Sequence, residues 1–137
     1  MTRRTGAWLH RSARRPRKGA AQHDRVVAAL IAAALAADQR GLARMLHPGV
    51  VLTVDGGGVV PAPVVALEGA SEVGSYLAGV LLEAATSLRI ESVNGVAGVV
   101  VCRAGRVTGV LNIRVRRRLV LEAWLVANPE KLAHWNC

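Results

Sequence analysis

Aromatic residues are scarce. The chain of 137 residues has three Trp, one Tyr and no Phe. Its core must therefore come from Val, Leu, Ile and Ala, and a site that stacks flat polycyclic ligands is disfavoured. Cysteine is nearly absent too. Cys102 lies in an apolar strand pattern and Cys137 is the last residue, so no disulfide framework is read and a reduced, cytoplasmic setting is expected. No apolar run reaches the roughly 18 residues of a membrane span, so no membrane partner is expected. The N-terminus is basic but has no apolar stretch after it, which excludes a secretory signal there.

Acidic residues are missing from one region. The first 20 residues hold seven of the 18 Lys and Arg and none of the nine Asp and Glu. The remaining chain is close to neutral, at +2 of a formal +9. Residues 1–23 also lack apolar periodicity and read as a flexible basic tail. Such a tail attracts phosphate backbones weakly and without reading bases. Residues 24–137 read as one domain, and the 52% hydrophobic content of the chain supports a packed core.

Within that domain a helix is expected from Asp24 as N-cap, with Val26, Val27, Leu30, Ile31, Ala34 and Leu35 on one stripe. A short second helix carries Leu42, Met45 and Leu46 and ends at Pro48-Gly49. Val50–Val54 is a β-branched strand. Pro61 and Pro63 keep the following chain out of any central ladder. A third helix is expected from Ser71, with Val73, Tyr76, Leu77, Val80, Leu81 and Ala84 at helical spacing.

From Thr86 the period becomes two. Asn94-Gly95 is a hairpin turn, Ala104-Gly105 a second and Arg116-Arg117-Arg118 a third. Strict alternation puts Val107, Gly109, Leu111, Ile113 and Val115 on one face, and Leu119, Leu121, Ala123 and Leu125 on one face of the last strand, Leu119 to Ala127. Trp124, Val120, Val126 and Val110 then share the opposite face, either as a second core layer or as an exposed patch for a partner. Helices grouped ahead of a curved antiparallel sheet imply an α+β fold with helices on one sheet face.

Two stretches lie outside this periodic pattern. Asp55-Gly56-Gly57-Gly58 follows the first strand. It is no phosphate loop, since neither Gly-Lys-Ser/Thr nor a helix follows. By itself it reads as a sharp strand exit in which Asp55 bonds its own backbone. Asn128-Pro129-Glu130-Lys131-Leu132 reads as a capped helical turn, with Asn as cap, Pro at the first position and Glu complementing the dipole. His10, His23, His47 and His134 have no partners at ligand spacing, so no metal and no cofactor are expected.

Together the two stretches resemble the DGGGK and NPDKL motifs of the SnoaL-like extension at the C-terminus of certain extracytoplasmic-function sigma factors. The likeness runs from about Asp24 to Trp135. Val51-Leu52-Thr53-Val54-Asp55-Gly56-Gly57-Gly58, Val93-Asn94-Gly95, Gly105-Arg106-Val107 and Gly109-Val110-Leu111 carry it with Asn128-Pro129-Glu130-Lys131-Leu132-Ala133-His134. The resemblance implies a nuclear-transport-factor-2-like cone, with helices packed on a bent, mainly antiparallel sheet. It also implies a module that modulates transcription initiation through a sigma factor or RNA polymerase, with both motifs as the regulatory site and pairing of domains into a homodimer. His10–Lys18 is similar to the linker after a promoter-reading domain, so the chain reads as such an extension without its sigma domains.

The same superfamily includes isomerases and hydrolases that use a pocket carboxylate as base, which makes Asp55 the catalytic candidate in the alternative, enzymatic reading. Three departures from the family pattern stand out. Val59 stands where Lys is usual, Glu130 replaces Asp, and Arg116-Arg117-Arg118 replaces an Asp-Gly turn.

Overall fold

The computed structural model describes residues 19–137, and the expectations placed on residues 1–18, the basic tail and its phosphate contacts, lie outside the described residues. Helix α1 (Ala20–Leu35) begins four residues before Asp24, inside the stretch read as tail. Gly19, not Asp24, is its N-cap. His23 also belongs to the fold, because its Nε2 lies 2.8 Å from the carbonyl oxygen of Ala97 and ties the helix to the sheet.

Helix α2 (Gln39–Arg44) is capped by Asp38, whose carboxylate accepts from the Gly41 N–H. Strand β1 (Leu46–Asp55) follows at once and runs through Pro48 and Gly49, which were expected to lie outside it. A register shift between Leu46 and Val51 absorbs the proline, which cannot donate to a ladder. Strand β2 (Leu67–Glu68) is too short to leave a period, and α3 (Ala70–Leu81) is capped at Gly69 rather than Ser71.

Strands β3 (Thr86–Val93), β4 (Val96–Arg103), β5 (Arg106–Arg116) and β6 (Leu119–Val126) then form a meander, and α4 (Pro129–Leu132) closes the chain. The hairpin at Asn94-Gly95 has φ of 53° and 87°, the left-handed backbone that this dipeptide tolerates. The six-stranded sheet has the order β2-β1-β6-β5-β4-β3, antiparallel except for the parallel pair β1 and β6.

Helices α1 to α3 cover one face. Val27 and Leu30, Leu42, and Val73 and Leu77 meet Val50, Leu52, Val99, Leu111 and Ala123 in one cluster. Each such Val or Leu contributes about 1.5–3 kcal/mol on burial, so an all-aliphatic core suffices for the domain. The other face carries a second cluster of Val93, Val100, Cys102, Val110 and Val126, closed by Leu132 of α4 and by Trp135. Val110 and Val126 are buried in this second layer, whereas Val120 is buried in the helix-covered core and Trp124 is half-buried.

Two bulges change the expected faces. Val101 pairs with Gly109 but Cys102 pairs with Val107, so Thr108 is an extra residue. Val107 thereby joins the second cluster rather than the face of Leu111. Arg114 pairs with Glu122 but Val115 with Val120, so Leu121 is extra and Val120 turns into the helix-covered core.

The cysteines are also corrected. Cys102 and Cys137 form a disulfide with Cα atoms 6.0 Å apart, so no reduced pair is present. The chain end returns over the outer face of β4, which brings the terminal residue to Cys102.

Candidate functional site

The parallel pairing of β1 with β6 decides the site. Asp55 stands opposite Val126, and the Ala127 N–H donates to the Asp55 carbonyl at 2.8 Å. The two strands end side by side, so the segments that follow them leave the sheet together. Those segments are Gly56–Gly58 and Asn128–Leu132.

Asp55 joins both. Its Oδ1 accepts the Gly57 N–H at 3.0 Å, and its Oδ2 accepts from Lys131 Nζ at 2.6 Å. Asn128 caps α4, its Oδ1 accepting the Glu130 N–H at 3.1 Å, with Pro129 in the first turn. The Asn128 side chain also lies directly on the glycine loop. A Cβ at Gly57 would come 2.3 Å from Asn128 Cγ, and Gly57 has φ +67°. Only glycine fits there, both by backbone conformation and by space. A Cβ at Gly56 would meet the Val60 carbonyl oxygen at 2.3 Å, which explains the second glycine.

The structure therefore brings together Asp55, Gly57, Asn128 and Lys131 as one docked unit. Leu132 points into the second core, while Pro129 and Glu130 are exposed. The sequence reading missed the apolar rim. Val59, next after the glycines, and Val64 and Val65 further along the same loop are 72%, 100% and 75% exposed. The run Val59-Val60-Pro61-Ala62-Pro63-Val64-Val65 was the available signal, an apolar stretch without any period. Polar anchors beside an uncovered apolar loop are suited to contact with a macromolecule.

The geometry is less suited to a general base. Both Asp55 oxygens are committed, one to a backbone N–H and one to an ammonium group. Asp55 also lies on the sheet face opposite α1–α3. An open depression of about 280 Å³, lined by His23, Asp24, Ile90 and Glu91 among others, sits at the far edge of the sheet from β1. Another, of about 470 Å³, lies between α2 and α3 around Arg40, Ser71 and Ser75. Neither is lined by Asp55. Among the described residues no group of three His, Cys, Asp or Glu could hold a metal ion, and no helix is long and apolar enough to cross a membrane.

Fold and relatives agree on the class. The chain is a SnoaL-like domain of the nuclear-transport-factor-2-like fold, an α+β cone with helices on an open six-stranded mixed sheet. It is homologous to the C-terminal part of the ECF RNA polymerase sigma factor SigJ of Mycobacterium tuberculosis, 31% identical in an alignment 120 residues long that covers 80% of this chain and 38% of SigJ. The chain thus spans about two-fifths of the length of the curated relative it matches. The crystal structure of SigJ superposes with a TM-score of 0.64 over 81% of this chain and 44% of that one.

An NTF2-like protein of unknown function from Mesorhizobium loti gives a TM-score of 0.62 at 18% identity, over 83% of this chain and 97% of that chain. A putative ketosteroid isomerase from Kribbella flavida gives 0.56 at 11% identity, over 79% and 78%. At such identities these two show the fold alone. No family model matches the chain.

Proposed function

We propose that this domain is a non-enzymatic regulatory module that modulates transcription initiation by contacting a sigma factor or RNA polymerase in the cytoplasm. The contact surface is the unit formed by Asp55–Gly58 and Asn128–Leu132 with its valine rim. One observation carries the reading: motifs 76 residues apart dock on each other through the Asp55–Lys131 pair, in a chain homologous to part of a sigma factor. The test is a pull-down of the folded chain with extracytoplasmic-function sigma factors and core RNA polymerase. Enrichment of one of them is expected, and enrichment of neither, with the chain folded, counts against the proposal.

The alternative is a small-molecule-binding or isomerase- or hydrolase-type enzyme. Its support is the fold shared with a putative ketosteroid isomerase. In that reading Asp55→Asn abolishes turnover in a panel of isomerase and hydrolase substrates. Turnover that survives the substitution removes Asp55 as the catalytic base.

A further inference from the structure

The C-terminal segment takes part in two structures at once. Asn128 and Lys131 form one side of the motif unit. Six residues beyond Lys131 the chain ends at Cys137, bonded to Cys102 of β4. Between these points Leu132 and Trp135 close the second core, and Arg89 donates to the Asn136 carbonyl. Helix α4 has only four residues and has no independent stability. The position of the segment therefore depends on the Lys131–Asp55 pair, the Arg89 contact, two apolar side chains and a covalent tether at Cys137.

We infer that Cys102–Cys137 is a thiol–disulfide exchange site that controls the order of the motif surface, held when oxidised and loosened when reduced. The inference rests on the proposed function for what is being regulated and for the reducing compartment. In a protein acting on the transcription machinery a permanent structural disulfide is unusual, and the disulfides found in such compartments mostly serve redox chemistry.

Access is asymmetric. Cys137 is exposed, whereas Cys102 is 5% exposed within an apolar strand. The reductant is a dithiol. Its thiolate attacks Sγ of Cys137, the protein S–S bond breaks, and the electron pair leaves on the Cys102 sulfur, which takes up a proton. The second thiol of the reductant attacks the mixed disulfide, and Cys137 departs as a thiolate and is protonated in turn. The dithiol becomes a disulfide and the protein gains two electrons and two protons. Loosening then passes back from Cys137 through Trp135 and Leu132 to Lys131 and Asn128, because only one short helical turn intervenes.

The test is hydrogen exchange on the full chain, oxidised with glutathione disulfide or reduced with dithiothreitol, for wild type and Cys137→Ser. Reduction is expected to speed exchange about tenfold or more at residues 56–58 and 130–137, with β5 unchanged. Cys137→Ser should match the reduced wild type in both conditions. Cys137 is exposed, so this variant keeps the fold. Equal exchange in both states overturns the inference, and so do two free thiols after oxidation. A redox-dependent exchange without sigma factor or polymerase binding in either state defeats the proposed function and leaves the latch standing. Binding with unchanged exchange defeats the latch alone.

Discussion

Lys131 Nζ lies 2.6 Å from Asp55 Oδ2, joining the end of β1 to the turn that follows β6. The pair is partly shielded, with side-chain exposures of 24% and 35%. Lys131→Met should therefore cost about 0.5–1 kcal/mol by urea denaturation, near the upper range for ion pairs that still see water. Asp55→Ala should cost about 1 kcal/mol more, since the Gly57 N–H loses its acceptor as well. Equal losses for the two variants would show that the Gly57 contact contributes nothing.

The glycine loop yields a sharper contrast. Gly57 and Gly58 both have positive φ, yet a Cβ at Gly58 meets nothing within 4 Å. Gly58→Ala should cost about 1–2 kcal/mol from backbone conformation alone. Gly57→Ala adds the collision with Asn128 and should cost about 1–3 kcal/mol beyond that. In an Asn128→Ala background the extra cost should shrink, giving a coupling of about 0.5–3 kcal/mol in the double-mutant cycle. Additive effects would mean that the two motifs do not press on each other in solution.

Trp135 should matter more than its place near the chain end suggests. It is 8% exposed and closes the second core with Leu132. Trp135→Ala should cost about 3 kcal/mol or more by thermal or urea unfolding. A loss below about 0.5 kcal/mol, the range of surface substitutions, would mean that this face is not closed by the C-terminus.

The basic tail should carry whatever nucleic-acid affinity the chain has. Non-specific binding on the order of 10⁻⁴–10⁻⁶ M at physiological salt, falling steeply as salt rises, is expected for the full chain. Deleting residues 1–18 should abolish it while the domain stays folded, as read by its cooperative thermal unfolding. Equal binding by both forms would move the surface onto the domain, and sequence-specific binding by the full chain would contradict the view of the tail as a simple polycation.

The elements carried by short-range chemistry were legible in the sequence. The apolar stripes of α1 and α3, the Asn94-Gly95 hairpin and the capping Asn128-Pro129 each announce themselves within a few residues. What was missed depends on pairing between distant segments. The bulges at Thr108 and Leu121 have no side-chain signature, and each shifts the inside–outside pattern by one, so Val107 and Val120 were placed on the wrong faces. Strand β2 has two residues and shows no period. Cys102 and Cys137 looked unrelated because only the return of the chain over β4 brings them together. The two motifs were recognisable, but the reason for their proximity, the parallel β1–β6 pair, is a property of topology. The valine rim was visible as letters and its exposure was not.

The central claim is that the docked motifs form a contact surface for the transcription machinery. The direct measurement is a binding titration of the labelled full chain against extracytoplasmic-function sigma factors and core RNA polymerase, comparing wild type with Lys131→Glu. This substitution sets two carboxylates against each other at the motif junction. The account predicts saturable binding of wild type to at least one of these proteins, with affinity about tenfold weaker for Lys131→Glu, a difference of about 1.4 kcal/mol, while circular dichroism is unchanged. Equal affinity of the two forms, or no binding by a folded wild type, would contradict it.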